Sequence, residues 1–300
     1  MNRRTFTTLM IGIGATFAMP EAAFARRAVP ERGAFVDLGW ETLDLAVSSS
    51  GVVGVPETLA AGRYHLRLQP SPMLGDGQFN PGVLFALLED GVTVDAVATQ
   101  AAALQQPNVL PPDWYYTTTS PGGVSGSPDA PAEAVIDLAP GNWIVSANGL
   151  SSPPQALTVT GNLDAYLPTP AANATITFRD YSIELTDGQL LTGQNIIMLA
   201  NEGKLPHFMI GFKGPDGLTR EQLGAILDAE MTGTPVASGP TSDAIDYSAS
   251  FQSIDQSAGT TQWIAVTLEA GTYAAMCWVP EPGTGVPHAF MGMYNVFTVG

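Results

Sequence analysis

Thirty-two glycines and 24 prolines are spread through this 300-residue chain and punctuate it into short runs. Between these breakers lie short runs rich in Val, Ile, Thr and aromatics: Tyr64–Leu68, Ala134–Leu138, Asn195–Leu199 and Trp263–Leu268. Short β-prone runs separated by turn residues predict an all-β chain, and strands at this spacing predict a sandwich. One short helix is expected in each half. The first follows Asp90-Gly91-Val92-Thr93. The second follows Asp216-Gly217-Leu218-Thr219, where Thr219 and Gln222 form a capping box ahead of an apolar face of Leu223, Ile226 and Leu227.

The Asp-Gly-apolar-Thr step recurs, and so does a second pair in the same order: Leu138-Ala-Pro-Gly141-Asn-Trp143 against Leu268-Glu-Ala-Gly271-Thr-Tyr273. The chain reads as an internal duplication, and its length suits two cores. The expected organisation is an export segment over 1–25, a lead over 26–41, a first domain over 42–161, a linker over 162–173 and a second domain over 174–300.

The export segment rests on Arg3-Arg4-Thr5-Phe6 ahead of an apolar run from Leu9 to Met19 and then Ala23-Phe24-Ala25. The paired arginines and the mild apolar segment resemble a twin-arginine signal, which implies a periplasmic or secreted protein. The apolar run is far shorter than the ~20 residues a membrane span needs. Loss of Arg3, Arg4 and Glu21 takes the formal charge from −17 to −18, and Lys204 and Lys213 are the only lysines. A surface this acidic repels nucleic acid and anionic lipid and would steer a basic partner.

The chain has three histidines and one cysteine. Cys277 and His288 flank a Pro/Gly-rich stretch, Met293 follows five positions later, and His207 lies upstream in Asn201-Glu-Gly-Lys-Leu-Pro-His207. A lone cysteine in an exported protein has no disulfide partner, which leaves burial or metal ligation. Two imidazoles, a thiolate and a thioether are the ligand set of a blue-copper site, in which soft sulfur favours Cu(I) and imidazole suits Cu(II). Aligning Gly141 with Gly271 places Ala147 opposite Cys277, and the first copy lacks all four candidate ligands. The third histidine, His65, sits in an alternating strand and is expected at the surface. Gly122-Gly123-Val-Ser-Gly126 is expected to be a flexible loop.

With these residues in view, the second half resembles the cupredoxin family, from about Ala174 to Gly300. Residues 42–161 resemble it in architecture only. The resemblance implies two tandem Greek-key β-sandwiches, a ligand-free first domain, and one type-1 copper in the second. It implies imidazole ligands from His207 and His288, the thiolate of Cys277, and a weak axial sulfur from Met293, with Met291 as the rival. In two respects the chain differs from the best-known members. Cys277 and His288 are eleven positions apart instead of a few, and Phe208 stands where an asparagine is usual.

The implied function is one-electron carriage with a redox partner protein, without substrate turnover. Two alternatives stay open: a metal-free binding or structural module of the cell envelope, and a copper chaperone or reservoir. Multicopper oxidases and copper nitrite reductases need further histidine centres that three histidines cannot supply. A zinc hydrolase or serine hydrolase lacks its spacing motif here.

Overall fold

The computed structural model describes residues 33–35, 39–48, 50–70, 81–104, 110–127, 130–147, 152–164 and 167–300. The export segment at 1–25 and most of the lead lie outside them. The first half runs β1 (Glu41–Ser48), β2 (Gly51–Val53), β3 (Thr58–Ala60), β4 (Gly62–Leu68), β5 (Gly82–Leu87), α1 (Val94–Leu104), α2 (Asp113–Thr117), β6 (Thr119–Ser125), β7 (Ala132–Leu138), β8 (Gly141–Ala147) and β9 (Gln155–Thr160). The second runs β10 (Ala174–Arg179), β11 (Ser182–Gly188), β12 (Gly193–Asn201), β13 (Ile210–Gly214), α3 (Arg220–Thr232), β14 (Asp246–Gln252), β15 (Thr261–Leu268), β16 (Gly271–Met276) and β17 (Tyr294–Val299). The fold is all-β, and the first half carries two short helices where one was expected.

Three sheets build two sandwiches. One sheet has eight strands in the order β11-β10-β12-β15-β7-β4-β1-β2; β14-β13-β16-β17 and β3-β9-β8-β5-β6 form the other two. Read in each half separately, the strand orders correspond, except that β3 beside β9 is matched in the second half only by an isolated bridge between Leu190 and Val299. In both halves a parallel pair (β1 with β4, β10 with β12) leads to an antiparallel partner (β7, β15) that closes onto the other half.

The closing contact is symmetric. Ala134 of β7 pairs with Ile264 of β15, flanked by Val135 with Trp263 and Glu133 with Ala265. Ala134 and Ile264 each stand four residues before the leucine that ends the strand, so matching positions meet across a local two-fold. This is the edge-to-edge pairing by which identical subunits satisfy each other's open strands.

The terminal hairpins share a register as well. Gly141 pairs with Val159 and Trp143 with Leu157; Gly271 pairs with Val299 and Tyr273 with Phe297. Trp143 Nε1 donates to the Ala139 carbonyl at 3.0 Å, and the Tyr273 hydroxyl donates to the Glu269 carbonyl at 3.2 Å, each four residues back. Gly141 and Gly271 open their strands at φ of 150° and 140°, a region in which a Cβ is strongly disfavoured.

The capping box forms. Gln222 N donates to Thr219 Oγ1 at 3.2 Å, Thr219 N donates to Gln222 Oε1 at 3.0 Å, and Leu223, Ile226 and Leu227 are buried. A continuous core then runs from Leu45, Phe85 and Trp143 through Ile176, Phe178 and Leu199 to Phe208 and Val299. Each such side chain contributes roughly 1.5–3 kcal/mol by burial.

Two further sequence expectations fail, both because of contacts supplied from elsewhere in the chain. His65 is buried, with Nε2 2.9 Å from Glu133 Oε2 and Nδ1 3.3 Å from Thr42 Oγ1. It lies on the outer face of the eight-stranded sheet, where Phe35 of the lead packs with Val135 and Trp263 and sets its ring edge-on to the His65 imidazole.

Gly122–Gly126 is not a loop, because Gly122 to Ser125 belong to β6. A Cβ on Gly122 would overlap the Gln262 amide, and one on Gly123 would overlap the Val83 carbonyl. Gly123 N donates to Gln262 Oε1 at 3.2 Å, so glycine here permits close packing between the halves. Among the described residues no helix is long and apolar enough to cross a membrane.

Candidate metal centre

The strands deliver three side chains to one point. His207 precedes β13, Cys277 follows β16 directly, and His288 opens a 3-10 turn over His288–Met291. All three are fully buried. His207 Nδ1 and His288 Nδ1 are 3.2 Å apart, and Cys277 Sγ is 3.8 Å from each. Among the described residues this is the group of His, Cys, Asp and Glu side chains that could converge on an ion.

Donor spacing fits a metal. Two imidazole nitrogens and one sulfur at 3.2–3.8 Å from one another are close enough to hold a single ion through about 2.0–2.3 Å bonds. Each imidazole turns its other nitrogen toward a carboxylate: His207 Nε2 is 3.2 Å from Asp180 Oδ1, and His288 Nε2 is 3.3 Å from Glu281 Oε2. The Glu281 approach is off the hydrogen-bond line, so His288 Nε2 has proximity to the charge without a formed bond. A proton on the outward nitrogen leaves an Nδ1 lone pair facing inward. The two Nδ1 atoms, 3.2 Å apart, are placed to share a proton or to serve one cation.

Ionisation points the same way. Burial, with His288 alongside, lowers His207 to about 4, and burial also lowers His288; both imidazoles are neutral at pH 7. Burial pushes the Cys277 thiol up to about 12, against the opposing backbone N–H bonds of Phe208 and Val279. An incoming ion must therefore displace the thiol proton, and its binding releases about one proton near neutral pH.

The long Cys277–His288 interval closes on itself. Pro280 and Pro287 form an isolated bridge, Glu281 N donates to the Val286 carbonyl at 2.8 Å, His288 N donates to the Val279 carbonyl at 2.9 Å, and Ala289 N donates to the Cys277 carbonyl at 2.7 Å. Residues 280–287 are thus pinched off as an outgrowth, and His288 sits beside Val279. The distance in sequence does not become a distance in space.

Met293 is fully buried, with its N–H donating to the His288 carbonyl at 2.9 Å and its carbonyl accepting from Cys277 N at 3.1 Å. Met291 is 40% exposed. Phe208 stands where an asparagine is usual, and its backbone N–H bonds the Cys277 sulfur, tying the two loops, while the 253–256 segment braces the His207 side. His207 and Gln256 exchange backbone hydrogen bonds of 2.9 and 2.8 Å, and Met209 N donates to Ser253 Oγ at 2.9 Å.

The first half reaches this centre. Pro121 of β6 bridges Gln256, which brackets His207. The Tyr116 hydroxyl of α2 donates to the Pro280 carbonyl at 3.0 Å, at the base of the pinched loop. Tyr115 hydrogen-bonds Asp255.

Asp180, Glu281 and Gly203 were not anticipated from sequence. Glu281 carried a signal, being the only charged residue between Cys277 and His288. Asp180 carried none, because it meets His207 through strand pairing. A Cβ on Gly203 would stand 2.5 Å from Asp180 Oδ1 and 2.9 Å from His207 Nε2. Gly203→Ala should displace Asp180 and weaken metal binding by about 10–100-fold, read by competition with a chelator, while the thermal midpoint moves little.

Neither a protein-family model nor a curated protein sequence matches the chain. Among solved structures it is similar to dithionite-reduced auracyanin from Roseiflexus castenholzii, at 20% identity over 42% of this chain and 94% of that one, with a TM-score of 0.27. It is also similar to auracyanin B, at 18% identity over 44% and 91%, TM-score 0.27. A third is auracyanin A, a "blue" copper protein from Chloroflexus aurantiacus, at 20% identity over 42% and 96%, TM-score 0.27.

Proposed function

We propose that this protein is an exported, cupredoxin-like electron carrier that holds one type-1 copper at His207, Cys277 and His288, with Met293 as the weak axial ligand. The observation that carries the reading is the convergence of two imidazole Nδ1 atoms and one thiol within 3.8 Å of one another, in a chain with three histidines and one cysteine. Copper, when bound, supplies a one-electron couple, and a trigonal N₂S set with a weak fourth ligand suits both of its oxidation states.

The chain's own part is to hold that set still. Backbone bonds among Cys277, Val279, His288, Ala289 and Met293 lock three candidate ligands into one folded unit, and Gln256 fixes His207 against it. Both imidazoles and the thiol are buried from bulk solvent, which favours carriage over turnover. A copper reservoir would call for a cluster of exposed methionines; near the site Met209, Met276 and Met293 are buried and Met291 is exposed.

The matching strand order and hairpin register of the halves support descent from two copies, one of which now braces the ligand loop. The acidic surface favours a basic partner protein. Addition of Cu(II) to the mature protein should produce an intense visible thiolate band that ascorbate bleaches and reoxidation restores. A colourless protein would remove the reading.

A further inference from the structure

In this fold both imidazoles are shut in by carboxylates, and a single turn arranges this. Arg179 of β10 pairs with Ser182 of β11, which leaves Asp180 and Tyr181 as the two turn residues. Asp180 Oδ1 accepts from Lys204 N at 2.8 Å and Leu205 N at 3.2 Å, and it lies 3.2 Å from His207 Nε2. The adjacent Tyr181 donates its hydroxyl to Glu281 Oε2 at 2.9 Å, and that same oxygen lies 3.3 Å from His288 Nε2. The Tyr181 ring also stands edge-on to the His288 ring at 5.4 Å.

Three details set this apart from incidental surface pairing. Among the described residues Tyr181 is the non-glycine residue with positive φ, at 66°, a conformation that costs roughly 1–2 kcal/mol and needs surrounding structure to hold it. Gly203 is small where a Cβ would press on both Asp180 and His207. Glu281 is folded back onto the centre by the bridge between Pro280 and Pro287.

We propose that Asp180 and Glu281 are positioning residues of the metal centre, set by the Asp180-Tyr181 turn: Asp180 holds the His207 proton on Nε2 so that Nδ1 faces the ion, and the two carboxylates together bias the bound ion toward its higher oxidation state. A negative charge beside each ligand imidazole makes the nitrogen a stronger donor and stabilises the more positive ion. Removal of either charge therefore raises the reduction potential.

The inference rests on the copper reading for its second part only. The first part is tested on the metal-free protein by ¹⁵N NMR of the His207 ring. Wild type should carry the proton on Nε2, and Asp180→Ala should move part of that population to Nδ1. Asp180→Asn, which retains an acceptor, should keep the wild-type pattern. A wild-type proton on Nδ1, or no response to Asp180→Ala, overturns the positioning role.

The second part is tested on the copper-loaded protein by comparing Asp180→Asn and Glu281→Gln with wild type. Each should raise the potential by about a tenfold change in the Cu(II)-to-Cu(I) affinity ratio, or ~59 mV for one electron, with the visible band retained. A general loosening of the fold would lower the thermal midpoint instead, so the midpoint is measured alongside. Potentials that stay in place or fall while the midpoint holds overturn the charge bias. If wild type takes up no copper, the charge bias falls with the copper reading, and the NMR result still decides the role of Asp180.

Discussion

Cys277→Ser should yield a folded protein that shows no intense visible band at any Cu(II) concentration and no reversible one-electron wave. The thiolate is the only soft anionic donor within 3.8 Å of both imidazoles, and a serine hydroxyl is a hard donor that stays protonated at neutral pH. The substitution removes both the charge-transfer partner and most of the preference for Cu(I). Metal-free stability should change by only about 1–3 kcal/mol, the cost of a small polar group in a buried site.

The size of the effect shows in linkage. An ion that binds the folded state alone stabilises it by about 2.7 kcal/mol at a hundred times its dissociation constant. Copper should therefore raise the thermal midpoint of wild type by several degrees and leave that of Cys277→Ser where it was. Equal copper-induced shifts in the two proteins would place the ion elsewhere.

Asp255→Asn should stabilise the protein at pH 8 and leave it nearly unchanged at pH 4. Burial raises the Asp255 carboxyl to about 7, although the Tyr115 hydroxyl bonds it and works the other way, and its Oδ1 is enclosed without a hydrogen-bond partner. The folded state thus binds more protons than the unfolded state between the ordinary carboxyl range near 4 and about 7. Stability falls as pH rises through that window and stays reduced above it.

A carboxyl raised from its ordinary range to about 7 costs the folded state at most about 4 kcal/mol once it is ionised, and the asparagine variant should recover a few kcal/mol of this at pH 8. His207 contributes the opposite slope. Lowered to about 4 from its ordinary 6.5, it binds fewer protons folded than unfolded between those values, so its share of stability is lost as pH falls through that range. The two slopes oppose each other in wild type below pH 6.5, and only the difference between wild type and Asp255→Asn isolates the carboxyl. Thermal midpoints that differ as much at pH 4 as at pH 8 would place the cause outside Asp255 ionisation.

The donor cluster was legible to the extent that its residue types are rare. With one cysteine and three histidines, scarcity singled out His207, Cys277 and His288, and Met293 was preferred over Met291 because the Gly292-Met293 pair matches the pattern of the family the chain resembles. The α3 helix was legible through Thr219 and Gln222, because a capping box is a contact between residues three apart. The repeat was legible where equivalent hairpins preserve glycine at the same turn.

Other features depend on contacts made across the chain. His65 reads as a half-exposed strand residue, and it is buried because Phe35, far from it in sequence, lies over the sheet. The glycines of β6 read as loop and serve as the seat of Gln262. The interval from Cys277 to His288 looks too long until Pro280 meets Pro287.

From sequence alone, then, the donor atoms, the short β-prone runs and the turn positions were already determined, since composition and near-neighbour chemistry settle these. The tertiary structure decided that three donors meet at 3.2–3.8 Å, that strand β7 closes against β15 about a local two-fold, and that Asp180 and Glu281 stand behind the imidazoles. Each of those depends on register between strands remote in sequence, where a slip of one residue would turn every side chain to the opposite face.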